Sequence, residues 1–498
     1  MKKKLLFVLM VMSVIISSCA NDDNDNNNNT PTDDDSNLCD YTIMLYGTGG
    51  SNLDDSFLFN MEQIEEFGYS SDVQFVATFK FSSYMHYFGA DYEGTRYITL
   101  TPDGLENEYA DDDSFMLNDP QNIADFIDQA KKDYPAKKYI LIFWNHGSTF
   151  DIYDQPVKDS YEPTQSIAKS LLNDDTNDTA MSIFEVEEAL KRSNGGVDLV
   201  YFDACLMFAI ENLYQIKDYT KYVLGAAHIA PEIGGNYAQL FASLEKYSDI
   251  EEAITDYVDK IEQYWGSQSY SDDESSATSM TFAKMSYMDQ LIDAISDYTD
   301  LLCELYEEAL DSYENAEDYE DEEDLYLIEY NNGSSSNYFD PLYSEYEDSD
   351  FLYKTEGGVL YYFYEEDNDC TSYTAELKSA FSNLATGSYD SPLFNGQLSA
   401  LSTKVNNALD SVIIAENHAN MPSYVDRVCT AITWIDCDLF EMEYTYDDFE
   451  VELEVYKFSD LYKMTAFDMA TGWSRFLEMN QMLDIVFDEG SYMYVEAE

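Results

Sequence analysis

Positive charge is scarce in this sequence: 25 Lys and Arg stand against 99 Asp and Glu, a formal net charge of -74 over 498 residues with histidine neutral. A nucleic acid or an anionic lipid surface would be repelled over most of such a surface, which excludes a polyanion binder as the default reading. Histidine is scarcer still, with four, at positions 86, 146, 228 and 418, so imidazole chemistry has few addresses. The seven cysteines, at 19, 39, 205, 303, 370, 429 and 437, include no Cys-x-x-Cys pair and no Cys/His spacing of a zinc site. They imply no dense disulfide framework, and their positions leave any pairing open. Calcium-loop spacing of the EF-hand kind is missing, and so is a fixed-period repeat. The apolar run of residues 5–16 is too short to remain as a membrane span. What the chain does have is apolar mass: 45% hydrophobic and 15% aromatic residues, 44 of them Tyr, too apolar for a disordered acidic chain and ample for a large core. The length allows one large domain or two to three ordinary ones.

Lys2, Lys3 and Lys4 followed by the apolar run read as a secretory signal peptide over residues 1–18. Ile16-Ser17-Ser18-Cys19 resembles the lipobox of bacterial lipoproteins, which implies that Cys19 is lipidated and becomes the first residue of an exported, outer-membrane-anchored chain. Residues 21–38 (NDDNDNNNNTPTDDDSNL) carry almost no apolar side chain and cannot bury enough surface to order themselves, so 19–38 is expected to be a disordered acidic tether. Acidic residues directly behind the cysteine also resemble a surface-export signal.

From Asp40 the pattern alternates between strand and helix. Residues 41–46 (YTIMLY), 73–79 (VQFVATF), 138–144 (KYILIFW), 197–203 (VDLVYFD) and 222–227 (YVLGAA) are short apolar runs of strand length. Between them, 54–67 has helix-spaced apolar residues. Asp119-Pro120 reads as a cap with proline at the first helical position, and Ser182 with Glu185 as a capping box. Strands alternating with helices of this size predict an α/β fold with a mostly parallel sheet covered on both faces. Beyond about residue 265 the signal changes: 286–310 and 371–384 are expected to be helical, separated by an acidic, Tyr-rich stretch that includes 317–324 (EDYEDEED), the solvated kind of run. The expected organisation is thus a core over 39–265 and a helical, acidic region over 266–498.

His146 follows the strand LIFW directly, and Cys205 follows VYFD. If the two strands are parallel, both residues emerge at one carboxyl edge, where open α/β sheets place their ligands. Each also has a plain structural reading, since free cysteine is among the most buried residue types and a histidine after a strand often only serves a loop.

The stretch Tyr134-Pro135-Ala136 to His146-Gly147, followed by Asp203-Ala204-Cys205-Leu206-Met207 and Glu211, resembles the clostripain family of cysteine peptidases, in the caspase-like clan. Residues 41–53, with an Asn-Leu turn, are similar to the family's first strand. The segment from Ser279 through Leu291 and the stretch from Tyr462 through Thr471-Gly472-Trp473 to Leu477 resemble its later motifs. The resemblance implies a caspase-like sandwich completed by the C-terminal region. It implies that Cys205 is the nucleophile and His146 the proton carrier, that backbone N–H groups of Gly147 and Cys205 form the oxyanion hole, and that Asp203 pairs with a substrate Arg or Lys. It further implies self-processing in the loop between His146 and Cys205, with Lys158 and Lys169 as candidate sites. Such chemistry requires no cofactor, and calcium, which some members use, is the one candidate ion. Ser148, Thr149, Phe150, Ala226 and Ala227 depart from the family pattern around the cleft, where specificity is set.

The resulting expectation is a lipid-anchored, monomeric cysteine endopeptidase that acts on proteins or peptides with basic residues and cuts after Arg or Lys. A rival of another class is a catalytically inactive, surface-anchored binding lipoprotein of the same fold.

Overall fold

The computed structural model describes residues 38–50, 52–87, 90–111, 114–147, 171–174, 177, 179–228, 230–267, 278–314, 353–354, 360–367, 370–384, 392–419, 430–437 and 460–479. The leader, Cys19, nearly all of the tether, Ser148, Thr149, Phe150, Lys158, Lys169, Cys429 and the acidic run 317–324 lie outside the described residues.

Five strands run parallel through the centre: β1 (Cys39–Thr48), β2 (Val73–Tyr87), β5 (Ala136–Trp144), β8 (Val197–Asp203) and β9 (Thr220–Gly225). Antiparallel strands extend both edges, β3 (Ala90–Thr101) and β4 (Gly104–Asp111) beyond β2, β10 (Thr278–Lys284) and β14 (Ile413–Ala419) beyond β9. The order of this nine-stranded sheet is β14-β10-β9-β8-β5-β1-β2-β3-β4. Two smaller antiparallel sheets are formed by β6 (Leu171–Asp174) with β7 (Thr179–Met181), and by β11 (Tyr353–Lys354), β12 (Leu360–Asp367), β13 (Cys370–Glu376) and β15 (Ala431–Cys437). These elements belong to one unit, Cys39–Glu498.

The central strands are mostly apolar along the stretches where both of their faces are covered. Along β1, Tyr41 through Thr48 are all buried, and successive side chains enter opposite cores. Met44 and Tyr46 join Leu141, Phe143, Val200 and Phe202 under α2 (Pro120–Asp133), α3 (Ile183–Arg192), α4 (Ile210–Ile216) and α8 (Met288–Glu314). Ile43 and Leu45 join Ile140, Ile142, Trp144 and Tyr201 under α1 (Asp54–Phe67), α5 (Tyr237–Lys246), α6 (Ile250–Val258) and α7 (Ile261–Ser267). The result is the helix-sheet-helix sandwich that the alternation predicts.

Two helix starts form as the local chemistry requires. The Asp119 carboxylate accepts from the Gln121 N–H ahead of Pro120, and the Glu185 carboxylate accepts from the Ser182 N–H at 2.8 Å. The C-terminal region differs from its sequence reading. Residues 371–384 do not form one helix: β13 runs to Glu376 and α9 (Leu377–Leu384) follows. The Thr and Tyr of CTSYTAE suit a pleated surface better than a helix. With α10 (Pro392–Val412), α11 (Asp460–Lys463) and α12 (Ala466–Thr471), this region packs onto the first core. Trp473 is fully buried there, and the Tyr462 hydroxyl donates to buried Glu211 at 3.0 Å, bringing the closing segment to α4.

Candidate active site

The register of β5 against β8 pairs Trp144 with Asp203, the last residue of each strand. His146 and Cys205 therefore each lie two residues beyond a matched strand end, on neighbouring parallel strands, at one sheet edge. Gly147 sets how closely their segments approach. A Cβ built there would stand 2.3 Å from the Cys205 carbonyl oxygen and 2.9 Å from the side chains of Ala204 and Met207. Only glycine fits against that backbone.

The His146 segment is held from both sides. Asn145 is buried, donates from Nδ2 to the Thr48 carbonyl at 2.9 Å, and accepts at Oδ1 from the Asn173 N–H at 2.6 Å. Gly147 forms an antiparallel bridge with Leu171. The imidazole Nε2 lies 2.7 Å from Oδ1 of Asn52, in the turn after β1.

Cys205 begins a tight turn. Leu206, directly after it, has φ 59, a left-handed conformation uncommon for a residue with a Cβ. The turn is retained by Leu206 N–H to the His228 carbonyl and Phe208 N–H to the Ala226 carbonyl, both at 3.0 Å. The Ala230 N–H donates to Cys205 Sγ at 3.3 Å, and the thiol donates to the Ala230 carbonyl at 3.5 Å. Burial pushes the Cys205 thiol above its ordinary value; the Ala230 N–H opposes this, while the Asp203 carboxylate adds to it.

Asp203 lies on the side of the second core. Its Oδ2 accepts from the Gly235 N–H at 3.1 Å and the Tyr237 hydroxyl at 2.8 Å. Burial pushes its carboxyl up, against the hydrogen bonds from Gly235, Tyr237 and Tyr201 that favour the charged form. Next to it, Trp144 Nε1 donates to Asn60, which donates to the Ile233 carbonyl. The segment 233–237 is thus clasped over the strand ends. Ala226 and Ala227 are buried beneath the same edge.

The structure therefore gathers His146, Gly147, Cys205 and Asp203 at one edge. It also shows partners that sequence reasoning missed: Asn52 and Asn145 around the histidine, Ala230 at the sulfur, Gly235 and Tyr237 at Asp203. Only Asn145 had a local signal, its place beside His146. Among the described residues no group of three or more His, Cys, Asp and Glu is placed to hold a metal ion, and no helix is long and apolar enough to cross a membrane.

The sequence profile of the clostripain family, peptidase family C11, matches residues 106–478. Clostripain of Hathewaya histolytica is 30% identical over 195 residues, covering 35% of this chain and 36% of clostripain, so the match spans about a third of that relative's length. Among solved structures, an inactive zymogen C11 protease from Parabacteroides distasonis superposes with a TM-score of 0.51 at 14% identity, covering 87% of this chain and 98% of that one. A secreted C11 cysteine protease from Bacteroides thetaiotaomicron, in complex with an irreversible peptide inhibitor, gives 0.50 at 14%, covering 88% and 100%. At that identity the two structures show the fold, which is caspase-like. With the profile matched over most of its length, the chain belongs to the clostripain family.

Proposed function

We propose that the protein is an exported cysteine endopeptidase that hydrolyses peptide bonds after Arg or Lys through Cys205 and His146. The observation that carries this reading is the level placement of the two residues on neighbouring parallel strands, with the Gly147 backbone pressed against that of Cys205. In the reaction, Cys205 loses its proton to the imidazole and the thiolate attacks the scissile carbonyl. The N–H groups of Gly147 and Cys205 hold the oxyanion, a contact worth about 3–4 kcal/mol where measured. The imidazolium protonates the departing amine, leaving a thioester. Water then attacks, gives a proton to His146, and releases the acid and the thiol. The deciding experiment offers purified 20–498 a set of Arg, Lys and Asp fluorogenic peptides, with and without a thiol reductant and calcium. Cleavage after Arg and Lys supports the proposal; no cleavage in any arm would point to the inactive binding protein instead.

Asp203 is the proposed specificity acid, because a substrate guanidinium would meet a buried carboxylate with which it can form paired charge-assisted hydrogen bonds. A second reading is favoured by its existing bonds to Gly235 and Tyr237: Asp203 anchors the 233–237 segment. Asp203→Asn separates them. A specificity role lowers kcat/KM for Arg and Lys peptides by at least ~10-fold, about 1.4 kcal/mol, relative to apolar ones, and the wild-type preference survives high salt because steering alone is screened beyond ~10 Å at 0.1 M. An anchoring role lowers thermal stability and activity on all peptides alike.

Self-cleavage is proposed after Lys158 or Lys169. The fragments should stay together, because β5 and β8, on either side of that segment, pair from Ile140 with Leu199 to Trp144 with Asp203. N-terminal sequencing should show a second start between residues 158 and 171 in the wild type and none in Cys205→Ala; a fully active, uncut chain would sink the idea. Lipidation at Cys19, which like export is proposed from the leader alone, and a monomeric state are the remaining parts of the proposal. An N-terminal peptide without added lipid mass would refute the former, and a dimer in light scattering the latter.

A further inference from the structure

The hydrogen bond between Asn52 and His146 goes beyond the chemistry assigned above. Asn52 sits in the turn between β1 and α1, its own N–H donating to the Gly50 carbonyl at 2.8 Å. Gly50 is left-handed, with φ 47, and a Cβ on it would stand 2.9 Å from both Asn145 Nδ2 and the Asn173 carbonyl, so the turn is pressed onto the histidine segment. Both ends of the turn are fastened: the Gly49 N–H donates to the Lys80 carbonyl at 3.0 Å, and the Asp54 carboxylate accepts from the backbone and hydroxyls of Ser82 and Ser83. Although the Asn52 side chain is itself solvent-exposed, a fixed backbone presents it to the ring.

An amide oxygen can only accept. Facing Asn52 Oδ1 at 2.7 Å, Nε2 can hydrogen-bond only as a donor, which is the tautomer that leaves Nδ1 as the basic nitrogen. We propose that Asn52 is a positioning residue for His146, holding the tautomer in which Nδ1 exchanges the proton with Cys205 and with the leaving amine. Its side chain acts through the ring, which it meets at Nε2. It also favours the imidazolium formed when the thiol ionises, because a hydrogen bond from a charged donor is stronger than one from a neutral donor. This inference rests on the proposed Cys205 and His146 pair.

The test uses Asn52→Ala and Asn52→Asp. In Asn52→Ala, kcat on an Arg or Lys peptide should fall roughly 10-fold or more with KM within about 2-fold, while the protein melts as the wild type does. The limb of the pH profile set by the imidazole should move to lower pH in Asn52→Ala, where the cation loses its acceptor, and to higher pH in Asn52→Asp, which adds a negative charge and retains most of the rate. A purely structural residue would move neither limb. A second readout needs no turnover: 15N-histidine NMR of the Cys205→Ala protein, with His146 assigned by its own replacement, should show Nε2 protonated, and a mixed tautomer once Asn52 is also Ala. Protonation at Nδ1 instead, or an Asn52→Ala enzyme with wild-type kcat and pH limbs, would overturn the proposal. If the wild type cleaves nothing, the peptidase reading falls, and the tautomer result still decides Asn52.

Discussion

Cys205→Ala and His146→Ala are each expected to lower kcat/KM by roughly 10³-fold or more, and the double variant to be no worse than the poorer single one, because nucleophile and proton carrier act as a unit. The fold should survive both changes: Cys205 Sγ meets the Ala230 backbone and His146 Nε2 meets the Asn52 side chain at the sheet edge, and neither side chain is a fully buried core residue. Circular dichroism and a melting curve check that part. A pH dependence comes with it. Burial holds the Cys205 thiol above its ordinary value, and only the thiolate reacts with an alkylating reagent. In His146→Ala, alkylation of Cys205 should therefore rise with pH along a curve whose midpoint lies above the ~8.5 of a free thiol. In the wild type, where His146 takes the proton, the sulfur should react at lower pH. A Cys205→Ala protein that still cleaves peptides would end the peptidase proposal.

The second large effect is on stability. The Lys80 ammonium and the Asp174 carboxylate lie 2.7 Å apart with side chains 0% and 1% exposed, and Lys80 also donates to the Phe115 carbonyl at 3.1 Å. Asn177 Nδ2 gives the same carboxylate oxygen a further bond at 3.0 Å. The pair ties β2 to β6, the strand that re-enters after the segment proposed for self-cleavage and whose Asn173 N–H holds Asn145 beside the histidine. Asp174→Ala leaves a buried ammonium without its counter-charge, which costs about 3–5 kcal/mol. Replacing both partners, as Lys80→Met with Asp174→Leu, removes both desolvation penalties and should recover most of that loss. Urea unfolding of the two single variants and the double variant measures this coupling. Singles within about 1 kcal/mol of the wild type would show that water or another group reaches the pair. Because β6 also fixes Asn145, Asp174→Ala should lose activity along with stability.

The fold and the placement of His146 and Cys205 at one sheet edge were legible because their signals are local. A run such as LIFW has the length and apolarity of a strand buried on both faces, Asp119-Pro120 and Ser182 with Glu185 carry their helix starts within four residues, and His146 and Cys205 follow their strands directly. The sequence by itself thus determined the alternation of elements, the covered sheet, and the position of His146 and Cys205 at its carboxyl edge. Tertiary structure decided the rest. A strand buried on both faces has no polar alternation to show which side chain enters which core, so the placement of Asp203 beside Tyr201 and Tyr237 was not readable. The partners that tune the edge come from far along the chain: Asn52 is 94 residues from His146, Asp174 is 94 from Lys80, Gly235 is 32 from Asp203, and Tyr462 is 251 from Glu211. The β13 to α9 switch was lost for a similar reason, since strand or helix in that segment depends on pairing with β12 and β15. A short polar side chain carries no periodicity, and its role is fixed only when loop closure brings its partner within 3 Å.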